Sequence, residues 1–243
     1  MKTIILTGST GGLGTALVEV LVDNNDSQLV CLYRNAQKFE DNFRICKEKI
    51  IGYMIQKNDD FSVLVEIIDK YKNDVVLILN AFSIAPIKRV GDFCSKEIEE
   101  FVYGNLTRNL LLINNIVKIC KKNKLNLRII NLDSGAADYP LQGWGNYCAA
   151  KAYINSFLSV IMAENPNFQI VSFDPGVMDT AMQALIRETD KTVFDKVDTF
   201  IGYKDENKLH KPMDVALQIK ERYISSWTAK TMREKYDENM YIC

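Results

Sequence analysis

The chain has 243 residues, 47% of them apolar, and 30 basic against 31 acidic side chains. That length suits one α/β domain or two small ones, and the apolar content is enough for a large core, which excludes long disorder. A net charge of −1 excludes the strongly basic domain or stripe that nucleic acid requires, so no nucleic-acid partner is expected.

The chain opens MKTIILTG, whose apolar run is only Ile4, Ile5 and Leu6. A signal peptide needs a run of roughly 7–15 residues and a membrane span about 20, so a cytoplasmic protein with no membrane partner is expected. Thr3–Thr7 reads as a strand. It runs into TGSTGGLG, residues 7–14, whose glycines at 8, 12 and 14 give the spacing T-G-x-x-x-G-x-G, and a helical pattern over Gly14–Val22 follows at once. Glycine serves where the backbone takes positive φ or must approach a ligand closely, and the helix start offers free N–H groups to a phosphate. Strand, glycine loop and helix in this order make Gly8, Ser9, Gly12, Leu13 and Gly14 candidates for holding a dinucleotide. No glycine in the chain precedes a lysine, so there is no Walker A sequence and little support for a kinase or ATPase.

The second strand, Gln28–Tyr33, ends in CLYRNAQKF. An acid near this point usually holds a free ribose 2′-hydroxyl, but Arg34 stands there instead. A guanidinium suits a 2′-phosphate, which favours NADP over NAD. Further strands are expected at Lys49–Ile55, Val75–Asn80, Arg128–Leu132 and Gln169–Phe173. Helical spacing covers Asp60–Tyr71, Ser95–Lys121, Tyr147–Asn165 and Pro212–Tyr223. The lysines of KICKKNK, 118–124, read as the solvated end of a helix. Continuous apolar strands alternating with helices imply a doubly wound parallel sheet covered on both faces. No linker or internal repeat divides the chain.

Six scattered cysteines with no C-x-x-C pair argue for free thiols, and against disulfides or a zinc site, so no metal is expected. The single histidine, His210, reads as a surface residue. With no G-x-S-x-G elbow either, a hydrolase has no support.

The stretch NLDSGAADYPLQGWGNYCAAKAY, residues 131–153, holds the chemistry. Tyr147 and Lys151 share one helix face. Tyr53 and Lys57 have the same spacing, but only the later pair follows a serine, Ser134, placed just past an apolar strand, at the edge where parallel sheets bind ligands. Carbonyl reduction needs a hydride on carbon and a proton on oxygen. Tyr147 can give the proton, Ser134 can hold the oxygen, and the Lys151 ammonium can lower a phenol pKa that is ordinarily about 10. The polar segment at about 180–211 has no clean period. It reads as a lid over a substrate or as a pair of surface helices, and the two are compatible. Trp144, Tyr139, Leu141 and Met182 can line an apolar pocket.

The loop TGSTGGLG, the Ser134–Tyr147–Lys151 spacing and DPGVMDT, 174–180, come in the order found in short-chain dehydrogenases/reductases, and the chain resembles that family over nearly its whole length. Within it, DSGAADYPLQGWGNYCAAKA and PGVMDTAMQALIRE are similar to the bacterial sepiapterin reductase and benzil reductase group. The resemblance implies one Rossmann domain over 1–243, NADPH, a ketone or diketone substrate and a homodimer or homotetramer paired through its long helices. It also implies cofactor contacts at Asn80, Ala81, Tyr147, Lys151, Val177 and Thr180, and a proton relay through Asn105. Two departures stand out. Phe82 replaces the family's glycine in its Asn-Asn-Ala-Gly motif, and the acid that holds the adenine is unassigned, with Asp59 a weak candidate. Phe82 leaves open the alternative of a non-catalytic NADP-binding regulatory protein on the same fold.

Overall fold

The computed structural model describes residues 1–24, 26–44, 46–57 and 61–241. Asp59 and Asp60, the adenine candidate and the expected start of a helix, lie outside them. The strands are β1 (Lys2–Thr7), β2 (Ser27–Tyr33), β3 (Ile50–Met54), β4 (Asp74–Leu79), β5 (Leu127–Leu132), β6 (Gln169–Asp174) and β7 (Arg233–Lys235). Among the described residues they form one seven-stranded sheet in the order β3-β2-β1-β4-β5-β6-β7, and every neighbouring pair is parallel. The doubly wound parallel sheet read from the sequence is therefore present, and the six expected strands are all there with no end displaced by more than one residue.

The helices are α1 (Gly12–Leu21), α2 (Ala36–Phe43), α3 (Ser62–Tyr71), α4 (Ser95–Val102), α5 (Arg108–Asn123), α6 (Gly145–Glu164), α7 (Ala181–Arg187), α8 (Val197–Asp205) and α9 (Pro212–Ile219). Alternate strand side chains go to opposite faces. Ile4, Leu6, Val76 and Ile130 pack with Leu17 and Leu21 of α1 and Val215 and Ile219 of α9. Ile5, Leu77 and Ile129 pack on the other face with Ile68 of α3, Leu112 and Ile116 of α5 and Ile154 and Leu158 of α6. Each fully buried Leu or Ile stabilises by about 1.5–3 kcal/mol, so the two layers fix the sheet in place.

Four elements depart from the sequence reading, one of them the unexpected strand β7. The expected helix Ser95–Lys121 runs on through a single wide, π-helical turn at Tyr103–Thr107, which joins α4 to α5. The cause is tertiary: Asn105 is tied to Ser83 through both side-chain atoms, as described below. The expected helix Pro212–Tyr223 likewise passes into a wide turn at Lys220–Ser225. Helix α2 was not anticipated, because its eight residues are mostly polar; only Phe39 and Phe43 are buried, and Asn35 caps it by accepting a hydrogen bond from the Lys38 amide at 2.9 Å.

The strand order reverses between β1 and β4, which opens a crevice at their carboxyl ends. Here Gly8 takes φ +66°, and a Cβ on Gly14 would meet the Gly8 carbonyl oxygen at 2.0 Å and Asn80 Nδ2 at 2.9 Å. Gly14→Ala is expected to displace the loop and destabilise the protein by more than about 2 kcal/mol, measured by urea unfolding.

Candidate active site

Hydrogen bonds fasten the glycine loop on two sides. The Thr7 hydroxyl accepts the backbone amides of Asn80 and Ala81, each at 2.9 Å, and Asn80 Nδ2 donates to the carbonyls of Thr7 and Gly8, each at 3.1 Å. Ser9 is buried, and its amide and hydroxyl both donate to the Leu32 carbonyl, at 3.3 and 3.2 Å. Ser9 and Gly14 thus shape the loop from behind and do not line the cleft, whereas Gly8, Gly12 and Leu13 line it together with Thr10 and Gly11, which the sequence reading left out. Gly11 starts α1 without any side-chain cap, so the first amides of that helix have no side-chain acceptor. A phosphate fits such an end. Arg34 and Lys38 stand exposed at the same cleft, two cations suited to a further phosphate.

The cleft holds about 1370 Å³, more than a drug-sized ligand needs. Ser134, Tyr147, Lys151 and Asn105 all line it, as do Asn80, Ala81, Val177 and Thr180. Ser134 follows the end of β5. Its hydroxyl accepts the Ala136 amide at 3.2 Å and is hydrogen-bonded to Tyr147. Tyr147 sits in the first turn of α6, with Lys151 one turn on and buried beside it. Lys151 Nζ donates to the Leu132 carbonyl at 2.6 Å and lies 3.9 Å from the centre of the Phe82 ring. That ring meets Tyr147 edge-on at 5.5 Å. Asn105 Oδ1 accepts the Ser83 amide at 2.8 Å while its Nδ2 donates to the Ser83 carbonyl at 3.1 Å, and Asn109 Nδ2 donates to the Asn105 carbonyl at 2.7 Å. The wide turn exists to make these bonds.

The segment 180–211 folds as α7, α8 and their connections. Its side of the cleft is aromatic: Trp144 stacks on Phe194 at 4.8 Å and meets Phe200 and Tyr147 at 5.7 Å each. Leu141 and Met182 pack against this cluster and line the cleft with Trp144. His210, expected at the surface, keeps 20% of its side chain exposed and lies 3.6 Å from the exposed Glu238 carboxylate. It pairs with Met178 in a β-bridge and lies 4.6 Å from the Tyr236 ring, so it closes the base of the 174–180 turn.

The sequence profile of the short chain dehydrogenase family matches residues 2–191. This chain belongs to that family. A benzil reductase ((S)-benzoin forming) of Bacillus cereus is 34% identical over 231 residues, covering 90% of this chain and 93% of the relative. A sepiapterin reductase of Bos taurus is 37% identical over 118 residues, 47% of this chain and 44% of the relative. A solved short chain dehydrogenase/reductase from Saccharomyces cerevisiae superposes with a TM-score of 0.85 at 20% identity, over 98% of this chain and 97% of the other, and this likeness concerns the fold. Among the described residues of this family member no group of His, Cys, Asp and Glu could hold a metal ion, and no helix is long and apolar enough to cross a membrane. Cys31, Cys46, Cys94, Cys120 and Cys148 are free thiols.

Burial governs ionisation in this short chain dehydrogenase. It raises the Tyr147 phenol well above its ordinary range; the Ser134 hydrogen bond opposes the rise, and Asp133, Asp174 and Cys148 add to it. Burial lowers Lys151 to about 8, against the opposing pull of Asp133 and Asp174. Between pH 8 and the ordinary lysine value of 10.5, the unfolded chain keeps a proton that the folded chain has lost. Stability therefore rises with pH across that window. The protein is expected to gain about 3 kcal/mol over its Lys151→Met variant between those limits, measured by urea unfolding at several pH values.

Proposed function

We propose that this protein is an NADPH-dependent carbonyl reductase acting on a ketone or diketone. The observation that carries the reading is the meeting of Tyr147, Ser134 and Lys151 in one cleft with the uncapped start of α1. The dinucleotide, when bound, supplies the hydride. Gly8, Gly12 and Leu13 with the first amides of α1 hold its pyrophosphate, Arg34 and Lys38 its 2′-phosphate, and Val177 and Thr180 its amide end. Asn80 and Ala81 keep the loop in place for it.

Ser134 orients the substrate oxygen with a hydrogen bond. Tyr147 passes its phenolic proton to that oxygen as the carbon is reduced. Its raised pKa keeps the proton in place until the substrate oxygen gains negative charge. The Lys151 ammonium stabilises the phenolate left behind, and Asn105 is assigned to the relay that restores the proton. Trp144, Leu141 and Met182, with the segment 180–211 closing over them, give the substrate an aromatic and apolar bed. The likeness to the Bacillus cereus benzil reductase supports a diketone with aromatic substituents.

The Phe82 ring over the Lys151 ammonium favours a second reading, a non-catalytic NADP-binding protein. One assay separates the two. With benzil as substrate and NADPH oxidation followed by absorbance, turnover is expected, preferring NADPH over NADH by about tenfold or more, as charge-assisted hydrogen bonds of about 1.5–3 kcal/mol allow. Tyr147→Phe is expected to lower kcat by about a hundredfold or more, and Arg34→Ala to erase most of the NADPH preference. NADPH binding without turnover of benzil or other diketones would support the second reading.

The same family reading makes the protein a homodimer or homotetramer paired through α5 and α6, whose outer faces expose Leu111, Tyr153 and Val160. Sedimentation is expected to give two or four times the chain mass, and the mass of one chain would refute this.

A further inference from the structure

Asp133 stands immediately before Ser134, and its side chain is 1% exposed. Burying a carboxylate there requires compensation. Its Oδ2 accepts Asn155 Nδ2 at 2.9 Å, Arg233 Nη2 at 2.9 Å and Arg233 Nε at 3.1 Å, while Oδ1 is buried with no protein hydrogen-bond partner. Arg233 begins β7, and its Nη1 also pairs with Asp138. One guanidinium therefore spans both ends of the segment that carries Ser134. The strand that delivers it is fixed to β6 by the Ser172 amide on the Met232 carbonyl, at 2.7 Å, and the Tyr236 amide on the Asp174 carbonyl, at 2.9 Å. Asp133 is tied to the catalytic helix as well. Asn155 lies one turn beyond Lys151 on α6, and Lys151 itself bonds the carbonyl of Leu132, the residue before Asp133.

The charged and titratable groups facing Tyr147 and Lys151 are few. Asp133 faces them from the end of β5, Asp174 from the end of β6, and Cys148 from α6 itself. The β4 side presents Phe82, and the α8 side presents Trp144 and its aromatic partners. Two carboxylates thus face one ammonium. Arg233 is the cation that meets Asp133 from the opposite side.

We propose that Arg233 is a positioning residue for the reaction: it compensates the buried charge of Asp133, and so sets the charge balance felt by Tyr147 and Lys151, while its second arm on Asp138 fixes the turn that carries Ser134. The catalytic half of this inference rests on the reductase reading; the charge half does not. Both carboxylates raise the proton affinity of Tyr147 and Lys151. With Arg233 gone, Asp133 acts uncompensated and both groups hold their protons more tightly. A phenol that ionises less readily is a weaker acid toward the substrate oxygen.

Two measurements test this on the full-length protein. In the first, protein carrying carbon-13 lysine is titrated by NMR without cofactor or substrate, with Lys151 assigned by comparison with Lys151→Met. The Lys151 signal is expected to titrate near pH 8 in the wild type, about one unit higher in Arg233→Gln, and at or below the wild-type value in Asp133→Asn/Arg233→Gln. Arg233→Lys keeps the charge and should stay near wild type, which also covers the case in which the glutamine variant does not fold. In the second, diketone reduction is followed against pH. Arg233→Gln is expected to lose about tenfold in kcat near neutrality, with KM for NADPH little changed and the pH profile moved upward; the double variant should recover the profile. An unmoved Lys151 titration in Arg233→Gln, or a double variant displaced as far as the single one, would overturn the proposal. A wild type that reduces no diketone would overturn the reductase reading alone, and the lysine titration would still decide the role of Arg233.

Discussion

Four hydrogen bonds between Thr7 and Gly8 on one side and Asn80 and Ala81 on the other hold the carboxyl ends of β1 and β4 together. This is the place where the strand order reverses. Strands on one side of it run toward β3 and those on the other toward β7, so the two chain paths leave each other here and a crevice opens between them. Without the Thr7 hydroxyl and the Asn80 amide, the backbone groups at these strand ends would lose their partners, and a buried polar group without a partner costs about 1–3 kcal/mol. The glycine loop, the residues from Asn80 to Ser83 and the wide turn that reaches for Ser83 all take their positions from this junction.

The chemical groups are arranged around it by burial as much as by bonding. Tyr147 is enclosed by the rings of Phe82 and Trp144, which strips water from its hydroxyl. The same enclosure depresses the proton affinity of Lys151, so one apolar environment pushes the two partners in opposite directions from their ordinary values. The carboxylates at the ends of β5 and β6 temper the effect on the lysine. The groups that set these two proton affinities come from the ends of two strands and from α6 itself.

Much of this was legible in the sequence where the signal is local. Apolar runs marked β1 to β6; β1, β4, β5 and β6 are buried on both faces and tolerate little else, while β3 is a half-exposed edge strand. The loop, the serine, and the tyrosine and lysine at helical spacing marked the cleft, since each needs a defined place relative to a strand end. What escaped was set by partners distant in the chain. Asn105 sits in a widened turn of its helix and bonds Ser83, 22 residues away. Ser9 looks like a ligand-facing loop residue but is drawn inward by the Leu32 carbonyl. β7 reads Arg-Glu-Lys, with no apolar run to betray a strand. Phe82 was visible as an odd residue, yet only the fold shows its ring resting on the Lys151 ammonium.

The pairing of Asp133 with Arg233 joins residues 100 positions apart. β7 is only three residues long and forms the edge of the sheet beyond β6. The cation that meets Asp133 is therefore carried by the shortest strand, near the far end of the described residues. A chain cut short before β7 would keep the other six strands and the glycine loop, yet leave a buried carboxylate beside Tyr147 and Lys151 without its guanidinium.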